Sequence, residues 1–104
     1  MIDAVHNKNT ARLVFRPRSV RPKIDLIFPE ERSVSFYLAA TLTRQLEVSL
    51  AVQDWQITSA YPMTSLFPDG PRQRLRWFLK VHPGGSVEDL LTGTSANGLF
   101  IEML

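Results

Sequence analysis

The stretch Arg72-Gln-Arg-Leu-Arg-Trp-Phe-Leu-Lys-Val-His82 decides the fold of this chain of 104 residues, because its side chains alternate with a period of two. Such alternation predicts a β-strand whose successive side chains lie on opposite faces of a sheet. One face is apolar and predicts a buried side, made of Leu75, Trp77, Leu79 and Val81. The other face carries Arg74, Arg76, Phe78, Lys80 and His82. Cations beside an aromatic ring suit the binding of an anionic partner.

The composition predicts one folded, soluble domain spanning residues 1–104, with residues 1–10 loosely ordered. Hydrophobic residues make up 44% of the chain, which excludes a disordered protein. The chain has no cysteine, so disulfides and Cys-based zinc sites are excluded, and we expect a cytoplasmic compartment. No apolar run is long enough for a signal peptide or a membrane span, so we expect no membrane partner.

Basic residues fall into two blocks, although the net charge is only +2. The second block is the strand at 72–82. The first lies within residues 1–23 and supplies Arg12, Arg16, Arg18 and Arg21 as further candidates for partner binding. An acidic middle segment separates the blocks. The blocks therefore indicate either an anionic partner or charge complementarity within the fold.

The order of elements predicts an α+β fold. Alternation predicts strands at 11–16, 23–28 and 55–61 and a last strand at 99–104. Four-residue apolar spacing predicts one main helix at about 30–45, beginning at Pro29-Glu30-Glu31. Ser86-Val87-Glu88-Asp89 matches a capping signature, which predicts a short helix at 86–91. We therefore expect an antiparallel sheet of four or more strands with the main helix packed on one face.

Residues 46–52 fit two structures. Leu46 and Leu50 continue the helical spacing, but Leu46, Val48, Leu50 and Val52 also alternate strictly with polar or small residues. Helices of about 16 residues are already ordinary in length, which favours ending the helix and forming a hairpin with strand 55–61. Continuation of the helix to Leu50 is the alternative.

Residues 62–71 contain three prolines and predict a loop that ends in the turn Pro-Asp-Gly-Pro. Aromatic and Met side chains dominate protein contacts, so apolar residues in or beside such a loop are candidates for anchoring a partner. A lid folded back over the core is the alternative. These candidates are Tyr61, Met63, Leu66 and Phe67.

Catalysis and metal binding have little support in the sequence. His6 and His82 are the only imidazoles and lie far apart, so near neighbours cannot form a His-rich metal site. The acidic pair Glu88-Asp89 is typical of a helix start rather than of an acid–base pair. We expect no cofactor, no metal and no catalytic residue.

One segment resembles a known enzyme family. Residues 55–62 read Trp-Gln-Ile-Thr-Ser-Ala-Tyr-Pro, which is similar to the last hairpin of barnase-like bacterial ribonuclease toxins. The resemblance covers about eight residues and implies active-site roles for Ser59 and Tyr61. The family also uses upstream histidines, for which only His6 is available here.

These observations favour a small, non-enzymatic binding protein: an accessory factor, regulator or inhibitor. We expect it to dock on a protein or nucleoprotein partner through the basic face of strand 72–82. Direct binding of nucleic acid is the first alternative, and a ribonuclease-type enzyme is the second.

Overall fold

The computed structural model describes residues 12–29, 35–68 and 70–104. Within them the chain forms five strands and two helices around one sheet. In chain order these are β1 (Arg12–Arg16), β2 (Lys23–Ile27), α1 (Phe36–Ala51), β3 (Trp55–Phe67), β4 (Gly70–Val81), α2 (Val87–Ala96) and β5 (Ile101–Met103). The sheet order is β3-β4-β2-β1-β5. The predicted α+β class is confirmed.

The sheet is antiparallel except at one edge, where β5 runs parallel to β1. β4 lies between β3 and β2 and sets the register of both. Leu75 pairs with Leu26, and Trp77 pairs with Ile24. Matching apolar residues across strands places all of them on the same face.

The core lies between this apolar face and the helices. Leu75, Trp77 and Leu79 are buried as predicted, whereas Val81 at the strand end is exposed. α1 contributes Leu42, Leu46 and Leu50 in successive turns. Each such side chain stabilises the fold by about 1.5–3 kcal/mol on burial. The buried indole of Trp77 donates from Nε1 to Thr43 Oγ1 at 2.9 Å, so its polar atom is satisfied.

The predicted strand at 46–52 is wrong, because α1 continues to Ala51. Leu46, Ser49 and Leu50 are buried with helical spacing, while Val48 and Val52 are exposed. Leu46 and Leu50 satisfy both the helical spacing and the strand spacing, so the alternation of apolar residues here did not indicate a strand. A tight turn follows, in which Asp54 adopts a positive φ of 63° and returns the chain into β3.

The main helix begins later than the predicted 30. Its N-cap is Ser35, whose side-chain oxygen accepts a hydrogen bond from Leu38 N at 3.1 Å. The predicted helix start at Glu30-Glu31 lies outside the described residues, as do the predicted loose segment 1–10 and His6.

The predicted loop is wrong over residues 62–67, because they belong to β3, which forms one long hairpin with β4; the predicted turn lies at the end of this hairpin. Pro62 fits in β3 because β3 is an edge strand, where a missing N–H need not break the ladder. Gly70 has a φ of 123°, which a side chain would disfavour, and it begins β4 directly after the turn. Asp69 of the predicted turn lies outside the described residues.

A β-bulge at Thr58 reverses the predicted facing of the second half of β3. Ile57 pairs with Leu79, and the next residue pair is Ser59 with Phe78. The extra residue moves Ser59 and Tyr61 away from the face of Trp55. The strict alternation predicted across 55–61 therefore fails after Ile57.

α2 is longer than the predicted 86–91. The capping prediction is confirmed, since Ser86 Oγ accepts from Asp89 N at 3.1 Å. The helix then passes through Gly93, where an added Cβ would overlap the side chain of Gln53. Glycine lets the Gln53 amide pack closely against α2 at this point, and the helix continues to Ala96. Neither described helix is long and apolar enough to cross a membrane.

Candidate functional site

The face of the sheet opposite the core, which we call the open face, is strongly basic. No described helix packs on it. In the described chain it carries two carboxylates, Asp25 and Glu102, against eight basic side chains. These are Arg12, Arg16, Arg21, Lys23, Arg72, Arg74, Arg76 and Lys80.

The opposite side of the molecule has the opposite charge. Among the described residues, the helices and the α1–β3 turn carry four acids and one basic residue. The acids are Glu47, Asp54, Glu88 and Asp89, and the basic residue is Arg44. In the part of the chain that the structure describes, charge is therefore segregated across the sheet rather than balanced by a basic strand facing an acidic helix.

Asp25 lies at the centre of the open face and is fully buried. Arg76 donates to it from Nε at 2.7 Å and from Nη2 at 3.0 Å, which is a bidentate pair. Arg74 donates from Nη1 at 3.2 Å, and Arg16 Nε lies 3.7 Å from Oδ2. We call these four residues the Asp25 cluster. The two predicted candidates Arg74 and Arg76 are therefore brought together with Arg16, around a carboxylate that the sequence analysis did not identify.

The two arginines of β4 differ in their electrostatics. Hydrogen bonding to Asp25 raises the pKa of Arg76. Burial lowers the pKa of Arg74, and the neighbouring Arg76 and Arg16 charges add to that effect. Both remain charged near neutral pH, because arginine is effectively always protonated. Arg74 is thus a desolvated cation that Asp25 compensates only in part.

Phe78 forms a second group with its neighbours on the open face. The guanidinium carbon of Arg21 lies 4.0 Å from the centroid of the ring, and Lys23 Nζ lies 5.6 Å from it. Tyr61 meets the ring edge-on, with centroids 5.8 Å apart. Phe78 thus holds two cations in place by cation–π contact and has one face covered. Arg21 and Lys23 both belong to the first basic block of the sequence, but their contacts with Phe78 were not predicted.

Four predicted candidates lie outside both groups. Arg12 pairs with exposed Glu102, whose hydrogen bond raises the pKa of Arg12. Arg18 is exposed in the β1–β2 turn. Lys80 is exposed beside Gln56, and Gln56 Oε1 lies 2.9 Å from His82 Nε2. Lys80 is therefore available to a partner on the open face, and His82 is held at its margin.

The apolar candidates at 61–67 belong to β3 rather than to the predicted loop or to a lid over the core, and their role in anchoring a partner stays a prediction. Tyr61, Met63 and Phe67 follow the bulge on the open face, whereas Leu66 points to the other side and is 87% exposed. The centroid of the Phe67 ring lies 5.2 Å from the guanidinium carbon of Arg72 and 5.5 Å from that of Arg74. Two aromatic rings of the open face, Phe67 and Phe78, therefore contact cations.

Ser59 and His82 do not form a nucleophile and base. Ser59 Oγ is buried without a hydrogen-bond partner. Its cross-strand neighbour is Phe78, and His82 lies four residues further along the chain, about 13 Å away at strand spacing. The described residues also contain no group of three His, Asp or Glu side chains that could hold a metal ion. The described residues therefore place no histidine beside Ser59, and His6 lies outside them.

Comparison with protein-family models, with functionally described proteins and with solved structures gives no match for this chain.

Proposed function

We propose that this protein is a non-enzymatic binding domain that docks on an acidic surface of a partner protein through the open face. Such a domain acts as an accessory factor, regulator or inhibitor. The observation that carries the proposal is the segregation of charge among the described residues, with eight basic side chains against two carboxylates on one side of the sheet. A field of this kind accelerates association with an acidic surface and orients the complex.

The positions of the cations support docking rather than a role in solubility alone. Arg74, Arg76 and Arg21 are each fixed by a carboxylate or by a ring. Side chains that are already ordered lose little rotamer entropy when a partner binds. Exposed lysines scattered for solubility would have no such contacts.

The contacts of Phe78 and Phe67 with cations favour a protein partner over single-stranded nucleic acid. Base stacking requires an open ring face. On Phe78 the guanidinium of Arg21 already lies over the ring, and Phe67 has Arg72 and Arg74 near it. A base would have to displace these cations, whereas a carboxylate can approach them directly.

The test is the affinity of the protein for a fluorescent Glu-rich peptide at low salt, measured by anisotropy. Arg21→Gln and Lys80→Gln each remove an exposed cation from the open face and do not touch Asp25. Each should weaken binding about fivefold, since an exposed ion pair contributes up to about 1 kcal/mol. Arg44→Gln on α1 removes the same charge from the helix side and should leave the affinity unchanged. Equal losses in all three variants would show that only net charge matters and would refute a defined face.

Alanine substitutions at Arg74 and Arg76 are unsuitable for this test. Both residues hold the buried Asp25, so their removal would leave a buried carboxylate without partners and destabilise the fold.

Direct nucleic-acid binding is a second candidate, favoured by Tyr61. This ring is 52% exposed on the open face among the cations. A mixed-sequence single-stranded oligonucleotide should then bind more tightly than the Glu-rich peptide. Its affinity should fall steeply with salt and should drop on Tyr61→Ala, because stacking contributes about 1–3 kcal/mol per base.

A further inference from the structure

The Asp25 cluster carries more positive than negative charge. Three guanidinium groups surround one carboxylate, which leaves two positive charges without a counter-charge inside the cluster. The Asp25 carboxylate is already shared among all three arginines. Its Oδ2 alone lies 3.0 Å from Arg76, 3.2 Å from Arg74 and 3.7 Å from Arg16. No second carboxylate of the described residues lies in the cluster to balance the two remaining positive charges.

The cluster also retains unused donors. Arg74 Nε is buried and has no hydrogen-bond partner, which is an unfavourable state for a polar group. Arg16 Nε approaches Asp25 only to 3.7 Å, which is beyond hydrogen-bond distance. The Arg16 side chain is 39% exposed, compared with 22% for Arg76 and 12% for Arg74. The cluster is therefore open to solvent at Arg16 and closed at Arg74.

We propose that the Asp25 cluster binds a phosphate dianion, either inorganic phosphate or the phosphate monoester of a phosphorylated side chain. Such a group carries about −1.5 to −2 charges near neutral pH, which balances the two positive charges that Asp25 leaves uncompensated. A carboxylate supplies only one charge. The planar fork of guanidinium also matches phosphate oxygens bidentately.

Asp25 has a defined role in this site. By pairing with Arg74 and Arg76 it fixes two guanidinium groups side by side on β4, where they would otherwise repel each other. The ligand then meets ordered donors and loses less affinity to side-chain ordering. Arg16 completes the site from β1, on the exposed side.

The experiment uses inorganic phosphate, added at constant ionic strength in chloride, with thermal unfolding and calorimetric titration as readouts. The midpoint of unfolding should rise with saturation, by about 5 °C or more at ten times the dissociation constant. Arg16→Gln should abolish most of the rise, and it leaves Asp25 with both hydrogen-bonded arginines. Arg18→Gln, two residues away in the exposed turn, removes the same charge outside the cluster and should retain the rise.

A phosphoserine peptide and its unphosphorylated twin distinguish the two sources of phosphate. Tighter binding of the phosphopeptide than of inorganic phosphate would assign the site to a phosphorylated partner. Equal affinities would assign it to free phosphate. A rise that does not saturate, or that is equal in Arg16→Gln and the unchanged protein, is a general effect of phosphate on protein hydration and would overturn the proposal. The inference goes beyond the proposed docking function, since the Glu-rich peptide, Arg21→Gln and Lys80→Gln play no part in this test.

Discussion

Asp25 on β2 pairs with Arg76 on β4, and the arginine donates hydrogen bonds to both carboxylate oxygens. Nε donates to Oδ1 at 2.7 Å, and Nη2 donates to Oδ2 at 3.0 Å. The carboxylate is fully buried, whereas the arginine is partly exposed. Both side chains lie on the open face, where the buried Asp25 holds Arg76 across the β2–β4 pair. This pairing explains why a strand rich in arginine can lie between two other strands, because a carboxylate on the neighbouring β2 offsets the repulsion between its cations.

Asp25→Asn should lower the free energy of unfolding by about 3–5 kcal/mol, the usual cost of breaking a buried ion pair by removing one partner. The amide keeps the shape of the side chain but leaves three guanidinium groups without a counter-charge. Urea unfolding followed by tryptophan fluorescence measures the change. Glu102→Gln breaks the exposed pair with Arg12 and should cost less than about 1 kcal/mol. Comparable losses in the two variants would contradict a special role for Asp25.

Thr43→Val should cost about 1–3 kcal/mol, because the buried N–H of Trp77 loses its acceptor while the shape of the side chain is preserved. Thr41→Val is the matched control. Both hydroxyls bond to the carbonyl four residues earlier in α1, but that of Thr41 has no bond to the sheet. The control should change stability by less than about 0.5 kcal/mol. The difference in denaturation midpoints gives the result, and equal midpoints would disprove the Trp77 contact.

Ser86→Ala should cost about 1 kcal/mol, because it removes the acceptor that caps α2. The backbone carbonyl of Ser86, which accepts from Trp55 Nε1, is unaffected by the substitution. Ser95→Ala, exposed in the last turn of the same helix, should be neutral or slightly stabilising, since alanine favours helix. Thermal unfolding by circular dichroism measures both variants. No loss on Ser86→Ala would mean that the cap does not stabilise α2.

The sequence predicted the features that depend on local periodicity. The alternation around Trp77 specified β4 and its buried face, and Ser86 with Asp89 specified the start of α2. The bulge at Thr58 could not be predicted, because the sequence there alternates without interruption and only cross-strand register creates the bulge. Leu46 and Leu50 fit both periods, and only their packing against the sheet decides between helix and strand.

The basic face was predicted from β4, but its organisation was not. Asp25 is a single acidic residue within the short strand β2, and nothing local distinguishes it from an exposed charge. Its burial arises because β2 pairs with β4, which is some 50 residues later in the chain. The same pairing brings Arg21 and Lys23 to Phe78. These contacts are tertiary, so no motif within either strand could reveal them.

The most direct test of the central claim is to map where an acidic ligand binds. A titration of isotope-labelled protein with the Glu-rich peptide, followed by amide chemical shifts, resolves the two sides of the sheet. We predict saturable shifts at Lys23, Tyr61 and Phe78 on the open face, with α1 and α2 unaffected. Shifts confined to the helices, or none at low salt, would contradict the account.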